Sequence, residues 1–265
     1  MYEFNYHSPR TVDEARNILN GNEDAKLLAG GMTLLPTMKL RLARPSDLVD
    51  LGRIDALRGI SVGKSALEIG AMVRHADIAA SEDVRAAIPA LAVLAGKIGD
   101  PQVRNRGTLG GSVANSDPAA DYPAAVLAFA AVIKTDRREI PADEYFLGMF
   151  DTALEAGEIL QAVRFAIPKR AAYAKFPNPA SRYAIVGVMV AETDAGVRVA
   201  VTGAGPSAFR ATAFEEALEA GFSVAALDGV KVDAADLNSD LHASPEYRAH
   251  LVQVMAKRAV AAAGG

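Results

Sequence analysis

Two glycine pairs constrain this chain more than any other feature. Gly30-Gly31 sits in Ala29-Gly30-Gly31-Met32-Thr33, directly after Leu27-Leu28, and Gly110-Gly111 sits inside the irregular stretch from Arg104 to Asp121. Glycine alone takes positive φ without strain, so each pair reads as a tight turn or as backbone lying against something bulky. Successive N–H groups in such a turn form a concave nest that suits a phosphate. Two nests in one chain suggest a ligand with two phosphates. Asp117 and Asp121 follow the second pair. Ionised carboxylates only accept hydrogen bonds, so they suit sugar or polyol hydroxyls rather than phosphate oxygens. A polar surface loop is the plainer reading of the same stretch.

A third glycine cluster, Gly203-Ala204-Gly205-Pro206-Ser207-Ala208, has the form G-x-G-x-x-A. It reads as a structural turn. Residues 184–191 and 197–202 before it pattern as an antiparallel pair, and too little chain follows for the strand–helix units of a dinucleotide fold.

Residue types close off several other chemistries. There is no cysteine among the 265 residues, which excludes disulfides, thiolate-held zinc and an iron–sulfur cluster held by this chain. His7, His75, His242 and His250 are scattered without ligand spacing, so no metal site is expected. A net charge of -4 carries no footprint for nucleic acid. The first residues lack a signal-peptide pattern, and no apolar run reaches the roughly 18 residues of a membrane span. The expectation is a cytoplasmic protein without a transmembrane segment.

Along the chain, Thr11 and Glu14 form a capping box ahead of a helix that Gly21 closes. Strands are expected at 25–29, 48–51, 59–63, 66–70, 131–135 and 159–167. Helices are expected at 75–80, 89–98, 122–129, 143–154, 212–220 and 245–262, and residues 34–42 read as a short helical or irregular piece. Hairpins recur and strand–helix alternation is not strict, which favours α+β over a doubly wound sheet. The pattern restarts near Lys169, marking a boundary between 1–170 and 171–265.

The residues from Ala29 to Leu40 and from Gly107 to Asp121 resemble the two flavin loops of the FAD-binding medium subunit of molybdenum hydroxylases. That family includes carbon monoxide dehydrogenase and xanthine dehydrogenase, and the likeness is to its carbon monoxide dehydrogenase-type branch. Similarity continues through Glu158-Ile159-Leu160, Ser181-Arg182-Tyr183-Ala184 and the run from Asp240 to Arg248. The resemblance implies the two-subdomain FAD-binding fold of the vanillyl-alcohol oxidase (PCMH) type, divided at about 1–56 and 57–170. A small C-terminal α/β domain with an antiparallel sheet would follow.

By that resemblance, Leu28, Ala29, Gly30, Gly31, Met32, Thr33 and Leu34 wrap the pyrophosphate through backbone amides. Thr108, Gly110, Gly111 and Ser112 hold it from the other side, with Asn115 beside them. Asp121 binds FAD hydroxyls, of either the adenosine or the ribityl part. Leu160 packs along the cofactor, Tyr183 lies against the isoalloxazine and Lys175 lies near the ring. Met32 stands where histidine or glutamine is frequent. Neither loop holds a cysteine or histidine, which implies non-covalent flavin.

The resemblance further implies that no residue here is catalytic toward substrate. Substrate is oxidised at a molybdenum cofactor on a large partner subunit, and electrons reach FAD through two 2Fe–2S clusters on a small one. The assembly would be a dimer of heterotrimers, delivering electrons to an external acceptor. The alternatives are a self-contained FAD-dependent oxidoreductase on the same fold and a nucleotide-binding protein without redox activity.

Overall fold

The computed structural model describes residues 1–265. The Thr11 hydroxyl caps the first helix by accepting from the Glu14 N–H at 3.1 Å. That helix, α1 (Val12–Asn20), crosses from strand β1 (Asn5–His7) to β2 (Lys26–Leu28), and α2 (Leu34–Lys39) leads on to β3 (Asp47–Asp50). The strands form a parallel sheet in the order β1-β3-β2, which requires such crossovers. β3 takes the centre because Leu48 and Val49 are buried on opposite faces.

The end of α2 is a full Schellman cap. The Arg41 N–H donates to the Met38 carbonyl and the Leu42 N–H to the Thr37 carbonyl, both at 3.0 Å. Arg41 holds the left-handed position (φ 62°), where glycine is usual.

A second layer is an antiparallel sheet of β4 (Ile60–Val62), β5 (Ala66–Gly70), β6 (Val132–Thr135), β7 (Glu139–Pro141) and, at its centre, a later strand spanning Leu160–Ala166. Its helical cover is α3 (His75–Ala80), α4 (Glu82–Ala87), α5 (Pro89–Gly96), α6 (Pro101–Arg104), α7 (Leu109–Asn115) and α8 (Tyr122–Ala128). Leu67, Ile69, Ile133, Val163 and Phe165 from the sheet meet Leu91, Leu94, Val126 and Phe129 in one core.

Two expectations fail in this layer. Residues 143–154 are not helical. A 3-10 turn over Ala142–Glu144 leads into a hairpin of β8 (Phe146–Gly148) and β9 (Asp151–Thr152), turned by Phe150 at φ 54°. The Gly110-Gly111 stretch is not a loop either, because both glycines lie in α7.

With β10 the central strand already given (Leu160–Ala166), the last layer is the antiparallel sheet β11 (Arg170–Pro177), β12 (Ala184–Thr193), β13 (Gly196–Thr202) and β14 (Phe209–Arg210). Helices α9 (Thr212–Ala220) and α10 (Pro245–Ala262) cover one face, where Val186, Val188 and Val190 pack with Phe214, Leu251, Val252 and Met255. This sheet is hydrogen-bonded to the end of the second glycine stretch. The Gly203 N–H donates to the Pro118 carbonyl at 2.8 Å, the Thr202 hydroxyl to the Ala120 carbonyl at 2.6 Å and the Ala184 N–H to the Ala119 carbonyl at 3.3 Å. No helix is long and apolar enough to cross a membrane.

Candidate functional site

The three layers enclose a cavity of about 720 Å³, within the range of small-molecule and cofactor sites. Its first wall follows from the end of β2. After Leu28 the chain leaves the sheet, and the amides of Ala29, Gly30, Gly31, Met32, Thr33 and Leu34 donate to no protein acceptor. Such a run is costly unless something else accepts from it. Gly31 has φ +73°, and a Cβ on Gly30 would fall on the Arg106 carbonyl group. The first turn is therefore an open nest pressed against the second glycine stretch, and its donors suit an anion.

The second wall works differently from expectation. The Leu109 N–H donates to the Val73 carbonyl, that of Gly110 to Ala71 and that of Gly111 to the Thr108 hydroxyl. These amides are spent, so the stretch is not a second nest. Neither glycine has positive φ. Gly110 is needed because a Cβ there would strike the Ala71 Cβ and backbone; one on Gly111 would crowd Thr108 and Ala29. The pair lets α7 pass close to the β5 turn and to the nest.

Carboxylates furnish the polar rim. Asp117 lines the cavity and accepts from the Ala119 N–H at 2.9 Å, while burial pushes its carboxyl above the usual range. Asp121 is fully enclosed, and burial raises it too, against the pull of Lys175 and Tyr173. Its oxygens accept from the Tyr173 hydroxyl at 2.5 Å and the Lys175 ammonium at 2.9 Å. Tyr183, 46% exposed, stands at the mouth, its phenol raised by burial and then by Asp117 and Asp121. Burial alone would raise Glu158, but Arg138, the Glu155 N–H and the Thr135 hydroxyl together hold it down to about 2.

His75 lies behind Gly107, where any Cβ would strike its imidazole. It is 4% exposed, and burial followed by the Arg104 charge lowers it to about 4, so the ring is neutral at pH 7. Its Nδ1 and the hydroxyl of neighbouring Tyr122 have no protein partner.

Of the residues singled out in the sequence, Ala29, Gly30, Gly31, Met32, Thr33, Leu34, Thr108, Gly110, Gly111, Ser112, Asn115, Asp121, Leu160 and Tyr183 all line this one cavity. Leu28 and Lys175 do not. Leu28 ends β2, and Lys175 turns its ammonium to Asp121 and the Lys97 carbonyl. The third glycine cluster lies elsewhere, with Gly203 (φ +83°) making the turn after β13. Sequence reasoning missed His75, Lys26 and Arg182 on the lining. Arg182 sits in the Ser181–Ala184 fragment, beside Tyr183, whereas His75 and Lys26 carry no local motif and only the fold brings them to the cavity.

This donor set fits FAD. Unsatisfied amides face the space a pyrophosphate needs, carboxylates can accept from its hydroxyls, and apolar Leu160 and aromatic Tyr183 can flank a ring.

A family model for the FAD binding domain in molybdopterin dehydrogenase matches residues 2–169, and one for the CO dehydrogenase flavoprotein C-terminal domain matches residues 171–263. The carbon monoxide dehydrogenase medium chain of Hydrogenophaga pseudoflava is 39% identical, with 98% of this chain and 96% of that one covered. The nicotine 6-hydroxylase medium subunit of Paenarthrobacter nicotinovorans is 36% identical over the same shares. A solved structure of carbon monoxide dehydrogenase from Hydrogenophaga pseudoflava, lacking the Mo-pyranopterin moiety of its cofactor, contains a chain that superposes with a TM-score of 0.89. There the identity is 38%, and 99% of this chain and 98% of that one are covered.

Proposed function

This chain belongs to the family of FAD-binding medium subunits of molybdenum hydroxylases, and on that premise we propose that it is the electron-transfer subunit of a heterotrimer. In this reading a large subunit oxidises substrate at a molybdenum cofactor and a small one carries two 2Fe–2S clusters. The medium subunit passes electrons on to an external acceptor. The division of labour agrees with a chain that has no cysteine for a cluster. FAD, when bound, supplies the exchange between one- and two-electron chemistry.

The chain's own residues bind and orient. The amides from Ala29 to Leu34 hold the pyrophosphate, and Thr108, Ser112 and Asn115 close over it from α7. Gly110 and Gly111 make room for that approach. Asp121 is fixed by Tyr173 and Lys175 so that a remaining lone pair can take a hydroxyl. Leu160 and Tyr183 border the ring. Lys175 thus acts through Asp121 rather than on the ring itself. We further propose two domains, 1–170 and 171–265, a division supported by the separate family models and by the sheet that begins at Arg170. A cysteine-free chain needs no oxidising compartment, and this reading assigns the complex to the cytoplasm as a dimer of heterotrimers.

The unsatisfied amide run carries the binding assignment. Gly30→Ala should drive the nest off Arg106 and lower FAD content sharply, measured as flavin released by acid per chain. Gly205→Ala, at a glycine without positive φ and away from the cavity, should leave it unchanged. Equal flavin in the parent and Gly30→Ala would remove the nest from the site.

A further inference from the structure

The run from Asp240 to Arg248 stands out in the sequence, yet none of its residues lines the cavity. It grips the turn between β11 and β12 instead, at three places. The Tyr247 ring meets that of Phe176, near the end of β11, edge to face with centroids 6.3 Å apart. Inside the turn, the Asn178 side-chain nitrogen lies 3.4 Å from His242 Nδ1. Beyond it Arg248, 3% exposed, donates to the Ile185 carbonyl on β12 at 2.7 Å and to the Gly203 carbonyl at 2.9 Å. Asp240 ties these grips together. One of its oxygens accepts from Arg248 at 2.7 Å, and the other from the N–H groups of His242 and Ala243.

The turn so held carries Ser181, Arg182 and Tyr183 to the cavity lining. Tyr183 is half exposed, so its own packing cannot fix the ring; the backbone has to. Arg182 holds the left-handed position at φ 63°, and such strain persists only where the surroundings over-determine the turn. Asn178 supplies the inner half of that constraint. Its N–H donates to the Tyr183 carbonyl, its carbonyl accepts from the Arg182 N–H, and its side-chain oxygen accepts from the N–H groups of Ala180 and Ser181. With that oxygen taken, the side-chain nitrogen is the end that faces His242, so Nδ1 is the acceptor. The outer half comes from His242, Tyr247 and Arg248.

We propose that His242 and Tyr247 are positioning residues, which set Tyr183 against the flavin ring by holding the turn that bears it. The proposal rests on the reading above that Tyr183 borders the ring. Their place in the fold favours this role over plain stabilisation. Both are exposed, so their contacts add little to the core of the last layer. What those contacts do constrain is the neck of the turn, at Phe176 and Asn178.

The test reads the fluorescence of FAD bound to the full chain, because a tyrosine against the ring quenches it and emission then follows the share of undocked turns. Tyr183→Leu sets the unquenched level and should brighten the flavin severalfold. His242→Ala should raise emission about twofold or more, the population shift that one lost hydrogen bond brings. His242→Asn, whose side-chain oxygen can stand where Nδ1 stood, should return it to the parent level. Tyr247→Ala should brighten the flavin and Tyr247→Phe should not. Both His242 variants should melt with the parent and hold as much flavin. In the Tyr183→Leu background, His242→Ala should add nothing, since it acts through the residue already removed. If His242→Ala leaves emission at the parent level, or raises it equally without Tyr183, the positioning role is wrong while the place of Tyr183 stands. If Tyr183→Leu itself changes nothing, Tyr183 does not border the ring and both fall.

Discussion

His75 is the residue through which mild acid should act on this fold. Its native pKa of about 4 lies below the unfolded value of 6.5. Between those values the unfolded chain binds the proton and the folded chain does not, so stability falls as pH drops from 6.5 towards 4. The shift corresponds to roughly 3 kcal/mol. Thermal unfolding of the parent and of His75→Asn across that range should diverge by an amount of this order, with the variant flatter; parallel curves would return His75 to an ordinary core position. Glu158, held down to about 2, adds a separate loss that begins only below its unfolded value of 4.5. At this scale the sequence showed which glycines matter but not always why. Gly31 has the positive φ expected of it, whereas Gly110 is required by the approach of Ala71 from another element. A histidine at a helix start gives no signal of its own. Only the arrival of Gly107 against its ring defines its surroundings.

Among the elements, the pairing of β11 with the start of α8 is the most exposed to test. Tyr173 and Lys175, two apart on β11, reach Asp121 at the same time, and the Tyr173 hydroxyl lies over Gly187 on β12. Tyr173→Phe removes one donor from a buried carboxylate, at an expected cost of about 1–3 kcal/mol. It should also weaken FAD binding by freeing Asp121 to turn. Unfolding and flavin titration of that variant check both effects, and unchanged values in both would separate Asp121 from the cofactor. Elements with a strong apolar period and a cap were legible, such as α1 and α10, whose starts are set by the hydroxyls of Thr11 and Ser244, the latter followed by Pro245. α7 was not, because glycines at its first turns lower helix propensity; the Thr108 cap and contacts with β5 hold it instead. Residues 143–154 have helical spacing yet form a hairpin, since Phe150 adopts φ 54° and its N–H bonds to the Ser116 carbonyl.

For the whole molecule, the C-terminal sheet is part of the site's construction. Its hydrogen bonds to Pro118, Ala119 and Ala120 fix the chain between the two rim carboxylates, and Tyr183 comes from the turn between its first two strands. The α+β class and the cavity's main residues were legible because both glycine stretches keep local signatures. The joining of the layers was not, because it depends on backbone bonds between segments distant in sequence. The central claim is that this subunit's flavin is the way out for electrons gathered by its partners. The direct measurement is acceptor reduction by the purified three-subunit complex with its substrate, before FAD is stripped, after stripping and after FAD is restored. Acceptor reduction should vanish on stripping and return with FAD, while the iron–sulfur clusters are still bleached by substrate throughout. Undiminished acceptor reduction by the stripped complex would contradict the account.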